Sequence, residues 1–192
     1  VAPTGLAPDA DKVVVDARGV AATGTVTRVD LATMKPTHTI PAELHPTAIL
    51  WDHPRQRLYV ANGNKDSVTV IDTATQRVLR TIAIQPFQQK VTGIAPSALA
   101  LGAGGKRLYV ACGGINAVAV VDTALGRLDG MIPTAWYPNS LAVSADGKSL
   151  AVGSLLGAGS GWRDAPGQRF VHSYRGSVAV VDLPDPAQLA SY

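Results

Sequence analysis

The stretch RLYVANGNKDSVTVID, residues 57–72, holds two short apolar runs joined by a turn with Asn62 and Gly63, and RLYVACGGINAVAVVD repeats it at 107–122. Working outward from this pair, an apolar run ending in Asp occurs as VTRVD (Asp30), VTVID (Asp72), VAVVD (Asp122) and VAVVD again (Asp182), at spacings of 42, 50 and 60 residues. LYVA at 58–61 returns as LYVA at 108–111 and as LAVG at 150–153. Upstream of each, HPTAILWD (45–52), APSALALG (95–102) and YPNSLAVS (137–144) share an x-Pro-small-x-apolar pattern, and closing runs such as RVLRTIAI (77–84) and RLDGMIP (127–133) follow. Repetition with a period in the forties is the mark of a repeat architecture.

Each unit therefore has four strands, A to D: A after the Pro, B at LYVA, C at VTVID and D at RVLRTI. β-branched residues dominate the runs and Gly or Pro interrupts them too often for helices. The Asp that ends strand C, and the Thr after it, suit a turn in which side-chain oxygens accept backbone N–H groups. The fold class is all-β, a β-propeller of four-stranded antiparallel blades, with B and C apolar on both faces because each blade packs between neighbours. Units fall at about 12–41, 45–84, 95–133 and 137–183. The first lacks A and the last lacks D, so about three and a half blades are present, and residues 184–192 read as the start of a linker to a following domain.

The composition fits. Charged residues make up 16% of the 192, with 19 Gly and 13 Pro. A net charge of +3 without a basic block argues against nucleic acid as partner. No apolar run reaches the length of a membrane span. Cys112, the one cysteine, has no partner for an internal disulfide and reads as a small buried residue.

LYVANGNKDSVTVIDTATQRVLRTI (58–82) resembles the YVTN repeat of bacterial and archaeal β-propellers, which include surface-layer and periplasmic proteins. The resemblance covers nearly the whole chain and implies a piece of a seven-bladed propeller, in a periplasmic, secreted or cell-surface location. MIPTAWYPNSLAVSADGKSLAVGSLLGAGSG (131–161) and GSVAVVDLPDPAQLASY (176–192) are similar to the last repeats of proteins in which such a propeller precedes a phosphoesterase domain of the alkaline phosphatase superfamily. That resemblance implies a non-catalytic binding or scaffolding module, partnered by the missing blades and by a downstream metal-dependent phosphoesterase. Open edges also allow self-association.

A site is sought where the repeat breaks. Two enlargements, QPFQQKVTGI (85–94, between D and A) and 154–176 (between B and C), fall on the same face of a propeller. The second carries Trp162, Arg163, Arg169, Phe170, His172, Tyr174 and Arg175, a set that suits an anionic ligand or protein partner and equally a loop folded over the propeller. Trp136 and Tyr137, beside Pro138, stand near the expected channel mouth, where they would stack on a ligand or line an inter-blade groove. His45 holds the matching place before Pro46; with His172 it suggests a metal pair, but a site needs three or four converging ligands, so no metal or other cofactor is expected.

Lys65, Asp66, Arg107, Asp146 and Lys148 read as solvated turn charges, and His38 and His53 as exposed. No nucleophile elbow, zinc helix or phosphate loop is present, so no catalytic residue is named. The alternatives are a propeller enzyme of lactonase or quinoprotein type with its site at the channel mouth, and a single-stranded nucleic-acid binder that stacks bases on the aromatics of the long loop.

Overall fold

A computed structural model describes residues 24–157 and 175–191, which carry thirteen strands and one short α-helix. Blade 1 is represented by β1 (Gly24–Asp30) and β2 (Lys35–Ala42), which pair antiparallel. Blade 2 is the meander β3 (Pro46–Asp52), β4 (Arg57–Asn62), β5 (Ser67–Asp72) and β6 (Arg77–Ala83). Blade 3 repeats it with β7 (Pro96–Leu101), β8 (Arg107–Cys112), β9 (Ala117–Asp122) and β10 (Arg127–Pro133). Blade 4 has β11 (Trp136–Val143), β12 (Ser149–Leu156) and β13 (Ser177–Asp182).

The four antiparallel sheets together form part of a β-propeller. The innermost strands β3, β7 and β11 lie side by side. Strand B of the first unit lies outside the described residues. One boundary needs correction: Ser154–Leu156, read as the start of the long insertion, belong to β12, where Ser154 is buried and pairs with Pro138 and Ser177. Pairing to strand A, Trp136 with Leu156, extends this strand beyond β4 and β8, while its pairing to strand C ends at Ser154.

Residues 184–192 leave the repeat. In blades 2 and 3 a tight turn leads from C to D, whereas after β13 the chain enters α1 (Pro186–Ser191). Asp185 caps it reciprocally: its carboxylate accepts from Gln188 N at 2.8 Å, and Gln188 Oε1 accepts from Asp185 N at 3.0 Å. Pro186 stands in the first turn, where its missing N–H costs nothing. Leu189 is 3% exposed and packs against Gly130 of β10, where a Cβ would lie 2.6 Å from Leu189 Cγ.

The core lies between sheets. Alternation sends Tyr59, Val68, Val70 and Ile82 of blade 2 toward Leu99, Leu108, Val110 and Val121 of blade 3. The opposite side of blade 2 presents Val60 and Ile71 to Val26 and Ile40 of blade 1. Tyr109, Val118 and Val120 of blade 3 meet Leu150 and Val152 of blade 4. The second and third strands of blades 2 and 3 are thus buried on both faces, as their near-continuous apolar runs require.

Cys112 is fully buried in the core between blades 2 and 3, and burial pushes its thiol up to about 12. It is expected to resist aromatic disulfide reagents in the native chain and to react at the ordinary thiol rate once urea has unfolded it. Native labelling on the time scale of an exposed thiol would contradict this burial.

The recurring Asp closes the C to D turn in the first three blades as expected, whereas no such turn follows Asp182, whose carboxylate accepts from Ser149 Oγ at 3.5 Å. Asp72 Oδ1 accepts from Ala74 N and Thr75 N at 2.9 and 2.8 Å, and Asp122 Oδ1 accepts from Ala124 N and Leu125 N at 2.8 and 2.7 Å. Asp30 accepts from both N and Oγ1 of Thr33. Hydrogen bonds from the turn, led by the Thr33 and Thr75 amides, hold Asp30 and Asp72 below the usual carboxylate value, and the Ser144 hydroxyl does the same for Asp146. A carboxyl lowered in the folded state stabilises it fully above the unfolded value, about 4, and loses that contribution as pH falls through the folded value. The urea midpoint is therefore expected to fall between pH 5 and pH 3, by less in Asp72→Asn; a midpoint level across that range would refute the coupling.

Candidate functional site

One face of the blades is built from the B to C turns and the D to A connections, and a single hydrogen-bonding scheme recurs on it. The residue before each strand-A proline is left-handed: His45 has φ 56°, Ala95 φ 55° and Tyr137 φ 57°. Non-glycine residues seldom take this conformation, and a β-bulge follows it in all three strands, at Pro46/Ala48, Pro96/Ala98 and Pro138/Ser140. The carbonyls of His45 and Ala95 accept from Gly63 N (2.8 Å) and Gly113 N (3.0 Å), tying strand A to the end of strand B.

Between blades, the residue before strand C supplies the clasp. Asp66 and Asn116 are also left-handed, with φ 51° and 56°. Their backbone carbonyls accept from Ile84 N and Thr134 N, where strand D ends. Their side chains accept where the next blade begins: Asp66 from Gly93 N (2.9 Å) and Ala95 N (3.0 Å), Asn116 from Tyr137 N (2.9 Å). Asp66 is thus no free turn charge; its carboxylate holds the connection into blade 3. The signal was present in the sequence, since KDSVTV and INAVAV align Asp66 with Asn116, two residue types that tolerate left-handed backbone.

A second link runs along the bulges. Thr47 Oγ1 donates to Pro96 O at 2.7 Å, and Ser97 Oγ donates to Pro138 O at 2.8 Å. Asn139 occupies the next equivalent place and is exposed. Blades 2 and 3 therefore each donate to the proline carbonyl of the blade that follows.

The enlarged connection occupies residues 84–95, where 43–45 and 134–135 suffice elsewhere. It is anchored at both ends, with Ile84 and Ile94 fully buried in the core. Together with Lys65, Asp66 and Ser67 it walls a cleft of about 740 Å³, to which Glu43, Lys90 and Thr92 also contribute. With Asp66 committed to backbone amides, Glu43, Lys65 and Lys90 are the charges left to meet a partner, and they suit a mixed polar surface more than a single ion.

His45, Trp136 and Tyr137 do not line this cleft. Trp136 and Tyr137 are 62% and 42% exposed on blade 4, and the Tyr137 ring lies over Gly113, where a Cβ would meet it at 3.2 Å. His45 is exposed on blade 2 beside Gly63, two repeats away from Tyr137 in the same register. Trp162, Arg163, Arg169, His172 and Tyr174 lie outside the described residues. Arg175 is described and exposed, and its carbonyl accepts from Gly157 N at 2.5 Å. Among the described residues no three His, Cys, Asp or Glu side chains converge as a metal site, and no helix is long and apolar enough to cross a membrane.

No protein-family model matches the chain, and no curated protein does. Among solved structures, the hydrazine synthase of Kuenenia stuttgartiensis, a propeller-containing protein, is similar over 84% of this chain and 43% of its own, at 26% identity and a TM-score of 0.66. A protein of unknown function from Desulfotomaculum acetoxidans is similar over 67% of this chain and 41% of its own, at 15% identity and a TM-score of 0.55. The chain thus matches less than half the length of either neighbour. With the four antiparallel sheets, these likenesses give the chain a β-propeller-like fold.

Proposed function

We propose that the chain is a binding and scaffolding module without chemistry of its own, of the YVTN type its repeats resemble, and part of a larger exported protein. The observation that carries the reading is the 84–95 connection, the described place where the repeat is lengthened, which is fixed in position by Asp66 and walls a polar cleft. A long connection held rigidly on a repeating frame is how such frames present recognition surfaces. The match to less than half of the hydrazine synthase chain supports a larger propeller, and the resemblance of 131–192 supports a phosphoesterase domain downstream.

Two measurements test the reading against its rivals. Metal analysis of the purified chain after dialysis against chelator should find none in stoichiometric amount; retained metal would overturn the module in favour of a propeller enzyme. Titration with a single-stranded oligonucleotide at low and high salt should show no saturable binding; affinity that falls steeply with salt would identify a nucleic-acid binder instead. The coding sequence on either side of residues 1–192 tests the larger protein, and Asp, His and Ser or Thr metal-site motifs after residue 192 are the expected finding.

A further inference from the structure

On the opposite face, formed by the A to B and C to D turns, the groove between blades 2 and 3 holds a cavity of about 570 Å³ lined by Arg55, Arg57, Arg80, Tyr59, Leu79 and Thr123, among others, with no carboxylate in its lining. We propose that this groove binds the anionic head of an oxyanion ester, a phosphate monoester (dianion) or a sulfate ester (monoanion).

Three observations carry the assignment. The guanidiniums come from separate elements, the A to B turn, β4 and β6, yet line one space. Their charge is incompletely balanced. Arg57 pairs with Asp72 at 2.6 Å and Arg55 with Asp52 at 3.1 Å, whereas Arg80 donates only to the carbonyls of Thr123 and Ala124. Carbonyls hold a guanidinium in place without neutralising it, and Asp72 is itself engaged by the amides of its turn. Three cations thus face two acids, both outside the lining.

Access and repetition complete the case. Arg55 and Arg57 side chains are 44% and 33% exposed, so the cavity is reachable from solvent, while Tyr59 beneath them is buried. The next groove shares part of the arrangement: Arg107 and Tyr109 stand in the register of Arg57 and Tyr59, with Lys106 and Lys148 beside them around a cavity of about 780 Å³, while Gly130 takes the place of Arg80. There Asp182 joins the lining, so the first groove is the stronger anion site. Arginine's planar fork, with donors left over after clasping the neighbouring blade, matches tetrahedral oxyanions.

The test is calorimetric titration of the full chain with inorganic pyrophosphate and, separately, with sulfate, at low and high salt. Saturable binding that weakens with salt is expected. Arg80→Gln is expected to weaken it about tenfold, the loss of one charge-assisted hydrogen-bonding group, while Lys148→Gln in the second groove leaves the tighter binding unchanged. Should Arg80→Gln fail to fold, the Nε–Hε signals of Arg55, Arg57 and Arg80 in the unaltered protein must shift on adding pyrophosphate. No saturable binding, equal weakening by the two variants, or unmoved arginine signals would overturn the site.

Discussion

Leu108→Ala is expected to lower the unfolding free energy by about 2–5 kcal/mol, the range for deleting a large aliphatic side chain from a close-packed core. Leu108 is fully buried on β8, the second strand of blade 3, and faces the Tyr59, Val68 and Val70 side of blade 2. Blades 2 and 3 are joined through this layer. Relaxation into the cavity would require one sheet to move toward the other, and the clasps from Asp66 and Thr47 to the start of blade 3 oppose that movement. The cost therefore belongs in the upper half of the range. Urea denaturation followed by circular dichroism measures it, and a loss below about 1 kcal/mol would mean that the layer is not the joint between these blades.

Gly114→Ala is the second large effect. A Cβ at this position would lie 1.7 Å from the carbonyl oxygen of Gly93 and 2.9 Å from its carbon, distances at which backbone must move. Gly93 is not free to yield, because its N–H is held by Asp66 and the next residue's carbonyl accepts from Gly114 N at 3.0 Å. A loss of about 1–3 kcal/mol is expected, typical of overpacking against a constrained neighbour. It is expected to fall on the 84–95 connection, so hydrogen exchange at Gly93 and Ala95 should accelerate well before that of β8 and β9. Native-like protection of both amides in the variant would show that the connection is not held there.

The repeat was legible because architecture repeats. Asp30, Asp72 and Asp122 recur for a turn that blades 1 to 3 share, and the burial of β4, β5, β8 and β9 on both faces follows from their unbroken apolar runs. What escaped the sequence was contact between units. Asp66 read as a solvated charge because its partners, the amides of Gly93 and Ala95, lie 27 and 29 residues away. Arg80 gave no signal at all, since it reaches carbonyls 43 and 44 residues on, and a carbonyl leaves no mark on residue type.

The helix after β13 was missed for a different reason. Its capping pair, Asp185 and Gln188, spans only four residues inside a segment read by analogy with a linker. Of the proposed site residues, Trp136, Tyr137 and His45 proved to be spread over two blades in a shared register, because the x-Pro pattern that singled them out marks equivalent places in successive repeats.

The relay from Thr47 to Pro96 and from Ser97 to Pro138 bears on how such a chain can grow. Blade 3 carries both halves of a coupling: the Ser97 hydroxyl that reaches forward and the Pro96 carbonyl that receives from behind. Copying one unit in tandem therefore copies a complete pair of mating surfaces, and the newcomer fits between its neighbours without further substitution. Lineages built this way can gain or shed blades in single genetic events, leaving sequence change to act on the connections that lie outside the coupling.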